Sequence, residues 1–330
     1  MDKRRLAAIA AAAVSVSTSV SGIVVYAKAN DAAMKNASLE NDYIRLTVEQ
    51  DSDQSEYLRF CLDTNNGQTS TKDDDQKNLT YKNFYSGYTT LNINGENYIY
   101  GEGTDTREPA YDASTGSHTS SQKFGDVEIQ QTLTFAEGFT KGCNDMLRIS
   151  YKVIGAAEDD SVGVRILIDP MIENDDALKL SVNNISVGNE TAFNESVPDV
   201  WKADVRADKN ISAYGKNNVA SLKPDSLTLA NWNDLYDDEW NTSYDTERAI
   251  SDSAVAVKWE PVKAVDTEFV SYYGIKNDAI KKEDVTGKTK VSSPKTSTTS
   301  ALGITALFAA SVISAAGCYV LGRKEKKEDE

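Results

Sequence analysis

Histidine is nearly missing from this chain of 330 residues, which has only one, His118. A single imidazole excludes most histidine-based metal centres and argues against a Ser-His-Asp triad. His118 sits in a Ser/Thr-rich stretch, 114–121, which reads as an ordinary loop. Cysteine is almost as scarce, with three residues. Cys318 lies in a C-terminal apolar run, leaving Cys61 and Cys143 as either one disulfide or two buried thiols. No base lies near Cys143 in sequence, so a thiol nucleophile is not expected. Proline occurs six times, and no Pro-rich linker interrupts residues 40–276. No segment there carries the period of a long amphipathic helix. Basic charge is short as well: 35 Lys and Arg face 51 Asp and Glu, for a net charge of -16. Such a surface repels nucleic acid and anionic lipid, so no nucleic-acid partner is expected.

Long apolar runs are confined to the two ends. The N-terminus has a basic start at Lys3, Arg4 and Arg5, followed by an uncharged stretch, 6–26. Ala27 and Ala29 then flank Lys28 in a small-x-small pattern. This order predicts a signal peptide, 1–29, cleaved after Ala29. The C-terminus has a second uncharged stretch, 301–321, and a charged tail, 322–330, rich in Lys. About 20 apolar residues suffice to cross a bilayer, and the basic tail would stay cytoplasmic. This predicts a membrane partner for the C-terminal span. Seven Asn-x-Ser/Thr triplets would also suit a eukaryotic glycoprotein, but the chain is generally rich in these residues and poor in disulfide cysteines.

Just before that span stand Ser293, Pro294, Lys295, Thr296 and Ser297. A short motif, an apolar span and a basic tail, in that order, resemble the sorting signal of Gram-positive surface proteins. Pro294 and Thr296 match its pattern, while Ser293 and Ser297 depart from the commonest form. The resemblance implies a sortase-type transpeptidase that attacks the Thr296 carbonyl and transfers the chain to the cell wall. It also implies display on the extracellular face, anchored in the wall or membrane.

The middle is β-rich. Alternating or β-branched runs occur at 43–48, 58–62, 89–93, 98–100, 127–135, 147–154, 177–182, 227–230, 254–259 and 269–275. Asn94-Gly95 supplies the positive φ angles of a tight hairpin turn. The run 162–168 is almost continuously apolar and reads as a central strand. Residues 30–39 read as a lead-in, and 277–297 as a Ser/Thr/Lys stalk. The expected fold is all-β: one large two-sheet β-sandwich over 38–276. Segments 88–95, 164–176, 252–259 and 269–275 resemble a β-sandwich module of clostridial surface proteins. That resemblance implies a supersandwich of the galactose-mutarotase-like kind and carries over no catalytic residue.

Two features suggest chemistry. Trp232, Asp234, Tyr236, Asp238, Trp240 and Tyr244 mix aromatic rings with carboxylates in 13 residues. Sugar recognition needs such a mixture, with rings for C–H faces and planar polar groups for hydroxyls. Separately, Asp169, Glu173, Asp175 and Asp176 follow the central strand and are the better calcium candidates, since calcium takes six to eight oxygens. The leading expectation is a non-enzymatic adhesin or carbohydrate-binding ectodomain with a glycan or host protein as partner. A structural protein binding another envelope protein comes second, and a glycan hydrolase using paired carboxylates third.

Overall fold

A computed structural model of the protein describes residues 24–26, 36–50, 57–66, 75–81, 86–112, 114–205, 211–237 and 239–277. In chain order it begins with β1 (Val24–Tyr26), β2 (Asn36–Glu40), β3 (Ile44–Glu49), β4 (Phe60–Thr64), β5 (Tyr88–Ile93) and β6 (Glu96–Ile99). Next come β7 (Thr104–Asp112), β8 (Ser117–Phe124), β9 (Val127–Ala136), β10 (Met146–Gly155), β11 (Ser161–Ile168), β12 (Lys179–Val182) and β13 (Ile185–Val187). The rest are β14 (Thr191–Phe193), β15 (Val200–Asp204), β16 (Ser212–Lys216), β17 (Ser226–Asn231), α1 (Trp232–Tyr236), β18 (Ser253–Lys263) and β19 (Glu268–Ile275).

These strands build an all-β sandwich. One sheet has nine strands in the order β13-β12-β15-β16-β19-β10-β9-β8-β7, and another has six, β14-β17-β18-β11-β5-β6. A four-stranded sheet, β1-β2-β3-β4, accompanies them, so the expected two sheets are three. All the pairings are antiparallel. The described residues belong to one unit that runs to Lys281.

The core follows the period-two pattern. Along β9, Val127, Ile129, Leu133 and Phe135 point inward, and β10 adds Leu147, Ile149 and Val153. The six-stranded sheet answers with Val164, Ile166, Leu229, Val255, Val257 and Trp259. Trp259 meets Phe269 edge-on at 6.0 Å, and Trp201 stacks on Tyr273 at 5.4 Å. Strand β11 lies between β18 and β5 and is buried almost throughout, as its apolar run predicts. Asn94 and Gly95 turn β5 into β6 with φ of 54° and 88°.

Several expectations need correction. Residues 36–39 of the lead-in belong to β2, which pairs with β3. His118 is not in a loop: it lies on β8 and is fully buried. Its Nε2 meets Gln50 Nε2 at 2.8 Å, and burial lowers its pKa to about 4. Strand β8 carries no apolar period because its inward row is mostly polar, with His118, Ser120 and Gln122 before Phe124. Ser120 meets Tyr100 Oη at 2.9 Å, and Gln122 binds Asp105 and the Gly101 amide, both at 2.8 Å. The network continues inward, with Gln131 donating to Tyr151 and Tyr151 to Thr89. Hydrogen bonding thus replaces apolar patterning at this end of the core.

Cys61 and Cys143 are both buried thiols and do not form a disulfide. Cys61 Sγ donates to the Tyr81 carbonyl at 3.6 Å, whereas Cys143 bonds the Tyr43 hydroxyl. Among the described residues no helix is long and apolar enough to cross a membrane. The 301–321 span, the sorting motif 293–297, Ala27 and Ala29 all lie outside the described residues.

Candidate functional site

Strand register gathers four chain segments at one end of the six-stranded sheet. Leu167 pairs with Tyr88, Ile168 with Val255, and Asn231 with Ser253. The start of β5, the end of β11, the end of β17 and the start of β18 therefore coincide. Ser86, Asp169, Trp232 and Asp252 are the residues just beyond those strand ends, and all four line one open cleft of about 470 Å³. Arg59, Tyr81, Asp176 and Tyr236 also line it.

Its aromatic wall is α1. Leu235 anchors this short helix in a small apolar cluster with Tyr88, Leu167, Ala230, Ala254 and Ala256. Arg165, buried on β11, donates to the Leu235 carbonyl at 2.6 Å, and the Tyr88 hydroxyl donates to the Tyr236 carbonyl at 2.9 Å. These bonds satisfy carbonyls that a helix end leaves without partners. Before the helix, Asn231 Oδ1 accepts the amides of Ser251 at 2.8 Å and Asp252 at 3.1 Å. Asn231 Nδ2 donates to Glu190, which is fully buried and also accepts the Asp245 amide at 2.7 Å. The segment after β17 is thus pinned at several points. With four-residue spacing, the Trp232 and Tyr236 rings lie 5.0 Å apart. Tyr236 meets Tyr88 edge-on at 5.7 Å, and Arg59 sits 5.2 Å from the Tyr88 ring centroid. Tyr236 remains 44% exposed, so it offers ring surface to a ligand.

The polar side of the cleft is acidic. Asp169 is buried, and its Oδ2 accepts the Ser86 hydroxyl. Burial raises its pKa to about 7; the Ser86 bond opposes that rise, while the charges of Asp252 and Asp176 add to it. Asp252 is raised too, by burial and then by Asp176. Backbone bonds hold the positions: Tyr81 N to Asp169 O at 2.9 Å, and Ser253 N to Asp176 O at 2.7 Å. The cleft therefore presents ring faces, an arginine and three carboxyl groups, of which Asp169 titrates near neutral pH.

The structure joins two groups of residues that the sequence kept apart. Trp232 and Tyr236 from the aromatic segment face the same cleft as Asp169 and Asp176 from the calcium candidates. The others go elsewhere. Asp234 pairs with Arg248. Trp240 is buried rather than presented: Lys258 Nζ lies 4.5 Å from its ring, and a Cβ on Gly163 would come 2.5 Å from its Cη2. Tyr244 is 40% exposed but does not line the cleft, and Asp238 lies outside the described residues. Glu173 pairs with Lys77, and Asp175 Oδ1 accepts the Ala177 amide at 3.1 Å. Two of the four calcium candidates thus share the cleft and two do not, and among the described residues no group of three or more His, Cys, Asp or Glu is arranged to hold a metal ion. Arg59, Tyr81, Ser86 and Asp252 were not foreseen as site residues. Only tertiary pairing brings them here.

No family model matches the chain, and no curated protein matches it. Among solved structures it is similar to a mutant of heparan sulfate lyase HepC from Pedobacter heparinus, with a TM-score of 0.41 and 12% identity. That match covers 80% of this chain and 36% of the other. HepC itself matches with a TM-score of 0.39 and 12% identity, over 74% of this chain and 34% of that one. The chain thus spans about a third of the length of these structures.

Proposed function

We propose that this protein is exported to a Gram-positive envelope and presents a non-enzymatic, adhesin-type carbohydrate-binding cleft. One observation carries the binding reading: Trp232 and Tyr236 stand together in an open cleft with Asp169, Asp176, Asp252 and Arg59. Ring faces stack on sugar C–H surfaces, while carboxylates and a guanidinium orient hydroxyls. The envelope address rests on the signal-peptide pattern and on the order of motif, span and basic tail. Within that reading, the nine- and six-stranded pair is a supersandwich of the galactose-mutarotase-like type. The test is a glycan array probed with the full-length protein, with and without calcium, alongside Trp232→Ala and Tyr236→Ala. Binding that falls at least tenfold in both variants is the expected result. A folded protein that binds no glycan under either condition would sink this reading and favour an envelope-protein partner.

A second reading, glycan hydrolysis, is favoured by Asp169, which burial keeps partly protonated near pH 7 beside two further carboxylates. It predicts release of reducing ends from a bound glycan, abolished by Asp169→Asn. Binding without release leaves the non-enzymatic reading standing.

A further inference from the structure

A second cleft, of about 370 Å³, is built on β12, β15 and β16 of the nine-stranded sheet. Along β15, Trp201 and Ala203 face the core, so Val200 and Lys202 face outward. Register places Ser181 beside Lys202 and Lys202 beside Tyr214, making one outward row across three strands. Phe139, from the β9–β10 connection, meets Tyr214 edge-on at 5.3 Å. Lys216 holds that connection in place: its ammonium donates to the Gly138 carbonyl at 3.2 Å and sits 5.0 Å from the Phe139 ring. The β12–β13 turn, Asn183 and Asn184 with φ of 46° and 67°, brings two amide side chains to the lining. Lys276, just past β19, adds a second cation.

The charge here runs against the rest of the molecule. The chain carries -16 overall, yet Lys202 and Lys276 line this cleft and no carboxylate does among the described residues. Lys202 is positioned by Asp204 at 2.7 Å, with its Nζ 5.7 Å from the Tyr214 ring centroid. Two ammonium groups, ring surface and paired amides make a site for a ligand with a negative charge, C–H faces and hydroxyls.

We propose that this cleft binds an anionic sugar, one bearing a carboxylate or a sulfate. The assignment is independent of the first cleft, which presents carboxylates instead.

The test titrates the full-length protein with three probes: an oligogalacturonate, its methyl ester, and a sulfated galactose oligosaccharide. The expected result is binding of at least one charged probe, at least tenfold tighter than the neutral ester and weakened by added salt. Which charged probe binds better identifies the anion. Lys202→Gln combined with Lys276→Gln, checked for folding by circular dichroism, should lower affinity at least tenfold, as should Tyr214→Ala. Trp232→Ala should leave it unchanged. Equal affinity for the charged and esterified probes, no binding of either charged probe, or loss in Trp232→Ala with the lysine variant unaffected would each overturn the assignment.

Discussion

Replacing Asp169 by asparagine removes one proton site while keeping an oxygen for the Ser86 hydroxyl to bond. In the folded protein this carboxyl titrates at about 7 rather than 3.8, chiefly because it is buried. Between those values the folded chain holds a proton here that the unfolded chain has released. Stability therefore falls as pH rises through roughly 4 to 7, and the loss is complete above that window. At about 1.36 kcal/mol per pH unit, the cost is on the order of 4 kcal/mol at alkaline pH. The asparagine variant has no such cost. Relative to the wild type it should be nearly neutral at pH 4 and more stable by about 4 kcal/mol at pH 8. Urea unfolding followed by tryptophan fluorescence, run on both proteins at half-unit pH steps, reads the difference while other titrating groups cancel. A stability difference independent of pH would refute the burial of Asp169. One that shrank with rising pH would show that the charged form is favoured in the fold.

His118 should behave in the opposite sense. Its pKa is depressed to about 4 by burial, so its penalty appears as pH falls below 6.5 and is complete below about 4. His118→Gln should then resist acid unfolding better than the wild type, by about 3 kcal/mol at pH 4, measured by urea unfolding across pH 4–7. Arg165→Met should cost about 3 kcal/mol, because it strips a charged donor from the Leu235 and Glu239 carbonyls. In a thermal melt it should lower the midpoint, and in the glycan assay it should weaken the first cleft as Trp232→Ala does. Wall-released protein should end at Thr296 by mass spectrometry, and Thr296→Ala should abolish that end. A chain that retains residues 297–330 at the surface would instead identify the apolar run as a permanent anchor.

The strands that were legible from sequence share one property: their inner faces are apolar. β9 alternates buried and part-exposed positions along its whole length, and β11 is apolar along one face and buried almost throughout, so period and composition reported them directly. β7 and β8 failed for two different reasons. β7 lies at the edge of its sheet and exposes most of its side chains. β8 buries Ser120, Ser121 and Gln122 completely, so its pairing is written in hydrogen bonds that a hydropathy reading takes for loop. Short strands such as β14 and β15 give too few residues for a period to emerge.

The same distinction separates the two halves of the first cleft. Trp232 and Tyr236 announce themselves because they stand four residues apart in one short segment. Two of their acidic counterparts, Asp169 and Asp176, also stand in one segment, after β11. That these two segments share a cleft depends on β18 pairing with both β17 and β11, which sets Asn231 opposite Ser253 and Ile168 opposite Val255. Ser86 arrives by the pairing of β5 with β11, and Arg59 through residues 79–81, where Leu79 N donates to the Leu62 carbonyl of β4 and Tyr81 N to the Asp169 carbonyl. Trp240 shows the converse. It lies as near Tyr236 in sequence as Trp232 does, yet it is buried against Gly163 and Lys258. Composition identified a segment able to hold a ligand, whereas register decided which of its rings face solvent. Asp234 belongs with Trp240 in this respect, since its ion pair with Arg248 ties it to the pinned segment, not to the cleft lining. The first cleft is therefore a property of antiparallel pairing at one sheet end, and a substitution that shifts the β17–β18 register by one residue should erase it while leaving every lining residue in the chain.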